Sequence, residues 1–314
     1  MIRTEHETTE RAVLTYLFGE DLAVAARAAD MSPAHLASIA ERYRAAGRST
    51  IDLDPQGWAQ VDVEFGDYAD AERAFRDELW PTLQTKRWWF VRKNPHWRLR
   101  YFDSGPTDFP DDLRSALDSM TARGTLQHWR PAVYEPETAA FGGPAGLQAV
   151  NDIHAADSTG LLTFLDARGT NDKIAPRLPV TSLMVLAHLM RSTGLEWEEQ
   201  GDVWARVMEQ RPEAPITDQR VGQLALKARS ALTVDLTPLI RDDPSFAALS
   251  TWATVMHDAG RRLAAVAADG ALQTGLRTVL ARTVLFCWNR AGFTTDQQSV
   301  WSLAARRAVL GMTR

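Results

Sequence analysis

Strand alternation through His96-Trp97-Arg98-Leu99-Arg100-Tyr101-Phe102 puts Trp97, Leu99 and Tyr101 on one face and His96, Arg98 and Arg100 on the other. Two guanidiniums on one face, with an imidazole beside them, can hold carboxylate or peptide oxygens and stabilise negative charge developing there. The same row also suits the wet face of an antiparallel sheet, although Trp88, Trp89 and Trp97 imply that this sheet is covered or lines a groove. On a helix, His154, Asp157 and Ser158 stand at i, i+3 and i+4, a spacing that can orient an imidazole or relay a proton and that capping or surface polarity explains equally well. Further on, Trp288-Asn289-Arg290 sets an aromatic, an amide and a cation side by side, while Gly292 suits a helix end and Arg290 the negative end of the helix dipole. Cys287 has no activating base nearby in sequence and reads as a small buried hydrophobe. His154 has no second histidine at metal spacing, so no metal is expected there.

The elements that must position these residues are legible in outline. Helical spacing covers 8–29 and 32–47, with Ser32 before Pro33 as a helix start. Period-two alternation at 51–53 and 58–65 around Asp54-Pro55-Gln56-Gly57 predicts a hairpin. A helix over 68–84 leads to two β-rich runs in 86–102 split at Lys93-Asn94-Pro95, then a helix near 109–123 and a strand from Leu126 to Tyr134. Past the break at Phe141-Gly142-Gly143-Pro144 the pattern is helical, near 145–167, 177–193, 199–210, 217–231, 244–268, 272–290 and 294–311. The expected fold class is α+β: an antiparallel sheet lobe with helices over 1–143, then a mostly helical lobe over 144–314 sharing its core, together one integrated domain.

Composition narrows the function. With 314 residues, 45% hydrophobic and 24% charged, the chain is a globular protein and not a disordered one. A single cysteine excludes an intramolecular disulfide and a multi-thiolate metal site. A net charge of -5 argues against a nucleic-acid partner held by phosphate contacts. The polar start Met1–His6 and the lack of any eighteen-residue apolar run predict no secretory signal and no membrane partner, hence a cytoplasmic location. Phosphate-loop and dinucleotide motifs are absent, as is the G-x-S-x-G nucleophile elbow.

The run Trp88 to Phe102, then Tyr134-Glu135-Pro136-Glu137 with Phe141-Gly142-Gly143, then His154-Ala155-Ala156-Asp157-Ser158, then Asn289-Arg290, resembles the thiopeptide-type bacteriocin biosynthesis domains. These are similar to the C-terminal elimination domain of class I lanthipeptide dehydratases, and a stand-alone chain of this size looks like the thiopeptide pyridine synthases. Glutamate-eliminating members carry an arginine before the aromatic of the Gly-Gly segment and a histidine two residues before Asn-Arg; Ala140 and Cys287 stand here. The resemblance therefore implies a formal [4+2] aza-cycloaddition of two dehydroalanines in an azole-bearing ribosomal peptide, with loss of water and of the leader as a carboxamide. The chemistry so implied requires no cofactor. Its alternatives are a glutamate-elimination partner of a split dehydratase and a non-catalytic precursor-binding module. Catalysis is expected of His154, Asp157, Arg98 and Arg100, and substrate contact of His96, Tyr101, Tyr134, Glu135, Ser158, Trp288, Asn289 and Arg290. The expected partner is the precursor peptide alone, its leader bound by the helices of 8–47 and nearby strands, with Asp157 as counter-charge to the strand arginines.

Overall fold

The computed structural model describes residues 2–52, 57–102, 110–170, 177–214 and 216–311. Contacts divide the chain into two compact units, Met1–Gln56 and Gly57–Arg314. The first contains helices α1 (Ile2–Leu17), α2 (Leu22–Ala28) and α3 (Pro33–Asp52) around Ala12, Val13, Ala25, Ala26, Leu36 and Ala40. Asp21 starts α2 by accepting the Ala23 and Val24 N–H groups at 2.9 and 3.1 Å, a cap worth about 1 kcal/mol. The hairpin strand expected at 51–53 is not formed: Ile51 and Asp52 end α3, and 53–56 lie outside the described residues. So short an alternation does not outweigh propagation of a helix already under way.

The second unit is α+β. Its sheet has the order β2 (Trp88–Lys93), β3 (His96–Phe102), β1 (Trp58–Phe65), β4 (Leu126–Ala132), antiparallel throughout. One face carries Val61, Val63, Phe90, Trp97 and Leu99, all buried. Between β1 and β2 run α4 (Ala71–Ala74), a widened turn Phe75–Leu79 and α5 (Trp80–Leu83). The expected helix over 68–84 is thus widened just ahead of Pro81, which lacks the N–H of a regular turn. Phe75 from this segment lies 5.0 Å from Phe90 and 5.2 Å from Trp97, ring centre to ring centre, and α6 (Asp111–Ala122) packs by Leu113, Leu117 and Met120.

The remaining helices are α7 (Gly143–Thr170), α8 (Leu178–Ser192), α9 (Trp197–Glu209), α10 (Asp218–Thr233), α11 (Leu236–Asp242), α12 (Ser250–Ala268), α13 (Leu276–Arg290) and α14 (Thr295–Leu310). Only α11 has no counterpart in the sequence reading. One hydrophobic core joins sheet residues such as Val61 and Leu99 to helical residues such as Ile153, Leu186 and Leu285. The chain turns into α7 through Gly142 and Gly143 at φ +80° and +87°, conformations that cost a side-chain-bearing residue about 1–2 kcal/mol. At Gly160 a Cβ would stand 2.2 Å from the Trp252 indole, so α7 and α12 can cross closely only because that side chain is missing. No helix among the described residues is long and apolar enough to cross a membrane.

Candidate active site

An edge strand leaves every second peptide group unpaired, and β2 is an edge. At Phe90 that edge is closed by side chains: its N–H donates to Ser158 Oγ at 3.2 Å and its carbonyl accepts Arg290 Nε at 2.9 Å. Arg290 also donates through Nη1 to Asp157 Oδ2 in a close ion pair, and Asp157 Oδ1 accepts Trp252 Nε1 at 3.0 Å. Arg290 and Asp157 are 0% and 1% exposed. The two residues therefore tie α7, α12, α13 and β2 together in a setting where neither charge has solvent to fall back on. Burial, then the Asp157 carboxylate, pushes the neighbouring Cys287 thiol well above its ordinary range.

The other sheet face meets the helices around Trp89. Arg100 lies 4.2 Å above the Trp89 ring and 4.5 Å above Tyr134, and its Nε donates to Gln60 Oε1 at 2.8 Å. Burial brings the Arg100 guanidinium down to about 10, with Tyr134 opposing and Arg98 adding to the shift, so it stays charged at neutral pH. Burial likewise raises the Tyr134 phenol, against the pull of Arg100. His154 stacks on Phe286 at 4.9 Å and lies 4.6 Å from Trp89. Neither of its ring nitrogens has a hydrogen-bond partner among the described residues.

Outward of this layer opens a cavity of about 270 Å³. Arg98 and Arg100 line it from β3, Val91, Arg92 and Lys93 from β2, Arg282, Leu285, Phe286 and Asn289 from α13, with Glu137 and Arg211 from connecting segments. Six cations thus face one carboxylate in a protein of net charge -5. Arg282 holds Glu137 through Nε at 3.0 Å and Nη2 at 2.5 Å. Arg98 has no ion-pair partner among the described residues, which leaves its guanidinium available to a ligand oxygen.

The family described as lantibiotic biosynthesis dehydratase C-term matches residues 58–309. The chain belongs to that family. The resemblance carried by Trp88 to Phe102 and the later motifs is established at this level. The structure is also similar to the tRNA-dependent lantibiotic dehydratase MibB from Microbispora sp. 107891, with a TM-score of 0.59 and 18% identity over 81% of this chain and 28% of MibB. The chain thus spans little more than a quarter of that enzyme. No curated protein matches the sequence.

In this dehydratase C-terminal fold the predicted site residues separate into groups. Arg98, Arg100 and Asn289 meet on the cavity wall. Tyr134 and His154 lie behind it, around Trp89, and Ser158, Asp157 and Arg290 close the β2 edge. Asp157 answers Arg290 and not Arg98 or Arg100. Trp288 is buried among Trp204 and Phe293, its indole donating to Ser182 Oγ at 3.2 Å, away from the cavity wall. Tyr101 belongs to the opposite sheet face, Glu135 is exposed, and His96 lies beside Glu64 and His128. Arg282 was missed, although Arg282, Phe286 and Asn289 at i, i+4 and i+7 share one helix face, a spacing that could have found it. Arg211 had no signal, because it follows the end of α9 and reaches the cavity only through tertiary folding.

Burial, reinforced by the Arg290 and Arg100 charges, holds the His154 imidazole well below its ordinary value. The unfolded chain then binds a proton near pH 6.5 that the folded one refuses, so stability is complete above that pH and falls as pH drops through it. His188 shifts in the same direction, chiefly through burial. Between about pH 6.5 and 5.5 each such group should remove up to about 1.4 kcal/mol per pH unit. His154→Phe, which keeps the aromatic stack, should flatten that dependence by nearly one proton in denaturant titrations; equal slopes would exclude His154 as a source.

Proposed function

We propose that the protein is a cyclase/lyase-type enzyme of ribosomal peptide maturation, a pyridine synthase that closes a thiopeptide macrocycle. Two dehydroalanines of an azole-containing precursor combine, one as the alkene and the other, as its iminol tautomer, as a 2-azadiene. Loss of water and expulsion of the leader as a carboxamide then give the aromatic ring. The observation that carries this reading is the cationic cavity where β3 meets α13. The reaction needs a peptide oxygen held while its amide tautomerises, which Arg98 and Arg100 suit, and a carboxylate for proton transfer, which Glu137 offers on the same wall. Holding two distant alkenes together can supply several kcal/mol of the barrier through proximity alone. In this reading Asn289 touches the peptide, whereas His154 and Asp157 act through Trp89 and Arg290 as positioning residues.

One observation favours a second reading. Six cations around the cavity also suit the free carboxylate of a glutamyl ester and the second carboxylate formed as glutamate leaves, as in a glutamate-elimination partner of a split dehydratase. Against it, the position where the resemblance sets a histidine is Cys287, a buried thiol held un-ionised. Mass spectrometry separates the cases. Incubated with a dehydrated, azole-containing precursor and no nucleotide or aminoacyl-tRNA, the protein should yield a pyridine macrocycle plus leader carboxamide. Release of glutamate from a glutamylated precursor would establish the second reading, and binding with no change in peptide mass would reduce the protein to a presenting module.

Leader binding is proposed for the first unit, where Phe18, Val24 and Tyr43 are exposed. A remote anchor lets binding energy offset the ordering of the core peptide. Deleting residues 1–56 should abolish leader affinity, and unchanged affinity would refute the assignment.

A further inference from the structure

We infer that Glu64, His96 and His128 form a binding site for one divalent transition-metal ion of the zinc class. Glu64 of β1 is directly opposite His96 of β3 on one side and His128 of β4 on the other. Directly opposed residues share a sheet face, so three adjacent strands deliver two imidazoles and a carboxylate to one point. Glu64 Oε2 stands 3.4 Å from His96 Nε2 and 3.1 Å from His128 Nδ1, and all three donor atoms lie within 4.8 Å of one another. Ligand atoms bonded at about 2.0–2.1 Å to a tetrahedral zinc ion stand about 3.3–3.4 Å apart, so the side chains need little adjustment to close on an ion.

The donor set decides the class of ion. Two imidazoles and one carboxylate suit zinc and its neighbours, whereas magnesium and calcium require oxygen ligands throughout. His128 is half exposed, so the fourth position opens to solvent. Of the nearby cations, Arg130 is answered by Asp62 at 3.2 Å, and Lys93, opposite His96 on β2, is exposed. The β1–β4 register shifts between Glu64 and Phe65. An ion at Glu64 therefore pins β4 where its own ladder breaks, and the role assigned to it is a clamp across three strands. The three ligands are not on the wall of the cationic cavity, so this inference stands apart from the proposed reaction.

The test is calorimetric titration of the full-length, metal-stripped protein with zinc, and separately with magnesium, beside thermal melts in both ions. One equivalent of zinc is expected, with a rise in melting temperature that magnesium does not give. Glu64→Gln and His128→Ala should each weaken zinc binding at least about tenfold, as even second-layer partners of a metal site do, and remove the thermal shift. His128 is half exposed, so its variant remains folded and decides the matter if Glu64→Gln does not. No saturable zinc binding, equal binding of magnesium, or zinc affinity unchanged in both variants would each overturn the site.

Discussion

Arg290→Met should lower the unfolding free energy by about 3–5 kcal/mol, the usual penalty for removing one partner of a buried ion pair and leaving the other charge unanswered. Asp157 would lose its charged partner and keep the neutral Trp252 indole as a donor, and the Phe90 carbonyl on the β2 edge would lose the Arg290 guanidinium. Asp157→Leu in the same background removes the stranded charge, so the double variant should recover much of the loss. The two single variants and the double form a cycle whose coupling energy measures the pair. Denaturant titration reads all three, and a loss below about 1 kcal/mol in Arg290→Met would show that the seam does not depend on this pair.

Arg98→Met should act on turnover and leave folding alone. Arg98 is half-buried at the cavity and bears no ion pair among the described residues, so its removal should shift stability by less than about 0.5 kcal/mol. If it holds the peptide oxygen during tautomerisation, kcat/KM should fall by roughly 10²-fold or more, the scale seen when one donor to a developing oxyanion is removed. Arg98→Lys should restore part of this, because it keeps the charge and loses the fork. Mass-spectrometric turnover of the azole-containing precursor measures the effect, and full activity in Arg98→Met would remove the residue from the mechanism.

Local patterns were legible where one element decides them. The alternation through Trp97, Leu99 and Tyr101 marked β3 and its core face because the period is fixed by the strand itself. The spacing of His154, Asp157 and Ser158 specifies one helical stretch, part of α7, but not the partners of that stretch. Asp157 meets an arginine 133 residues away and Ser158 a backbone amide 68 residues away. The burial of Arg100 depends on Trp89 arriving beside it from β2 and Tyr134 from beyond β4, which sequence alone does not specify. Glu64, His96 and His128 are invisible as a group for the same reason, since only the register of three strands brings them together.

Cys287 sits in the seam that Arg290 and Asp157 hold shut, 5% exposed, between cavity residues Phe286 and Asn289 in sequence. A bulky thiol reagent should reach it only when the packing around α13 opens, since a buried, un-ionised thiol is inert. The chain has no other cysteine, so each labelling event in the folded protein reports that one opening. Its rate at rising reagent concentration gives the opening equilibrium and then the opening rate itself. A peptide seated against Phe286 and Asn289 holds the same surface closed, so occupancy of the cavity can be followed as a slowing of cysteine labelling, without waiting for any product to form.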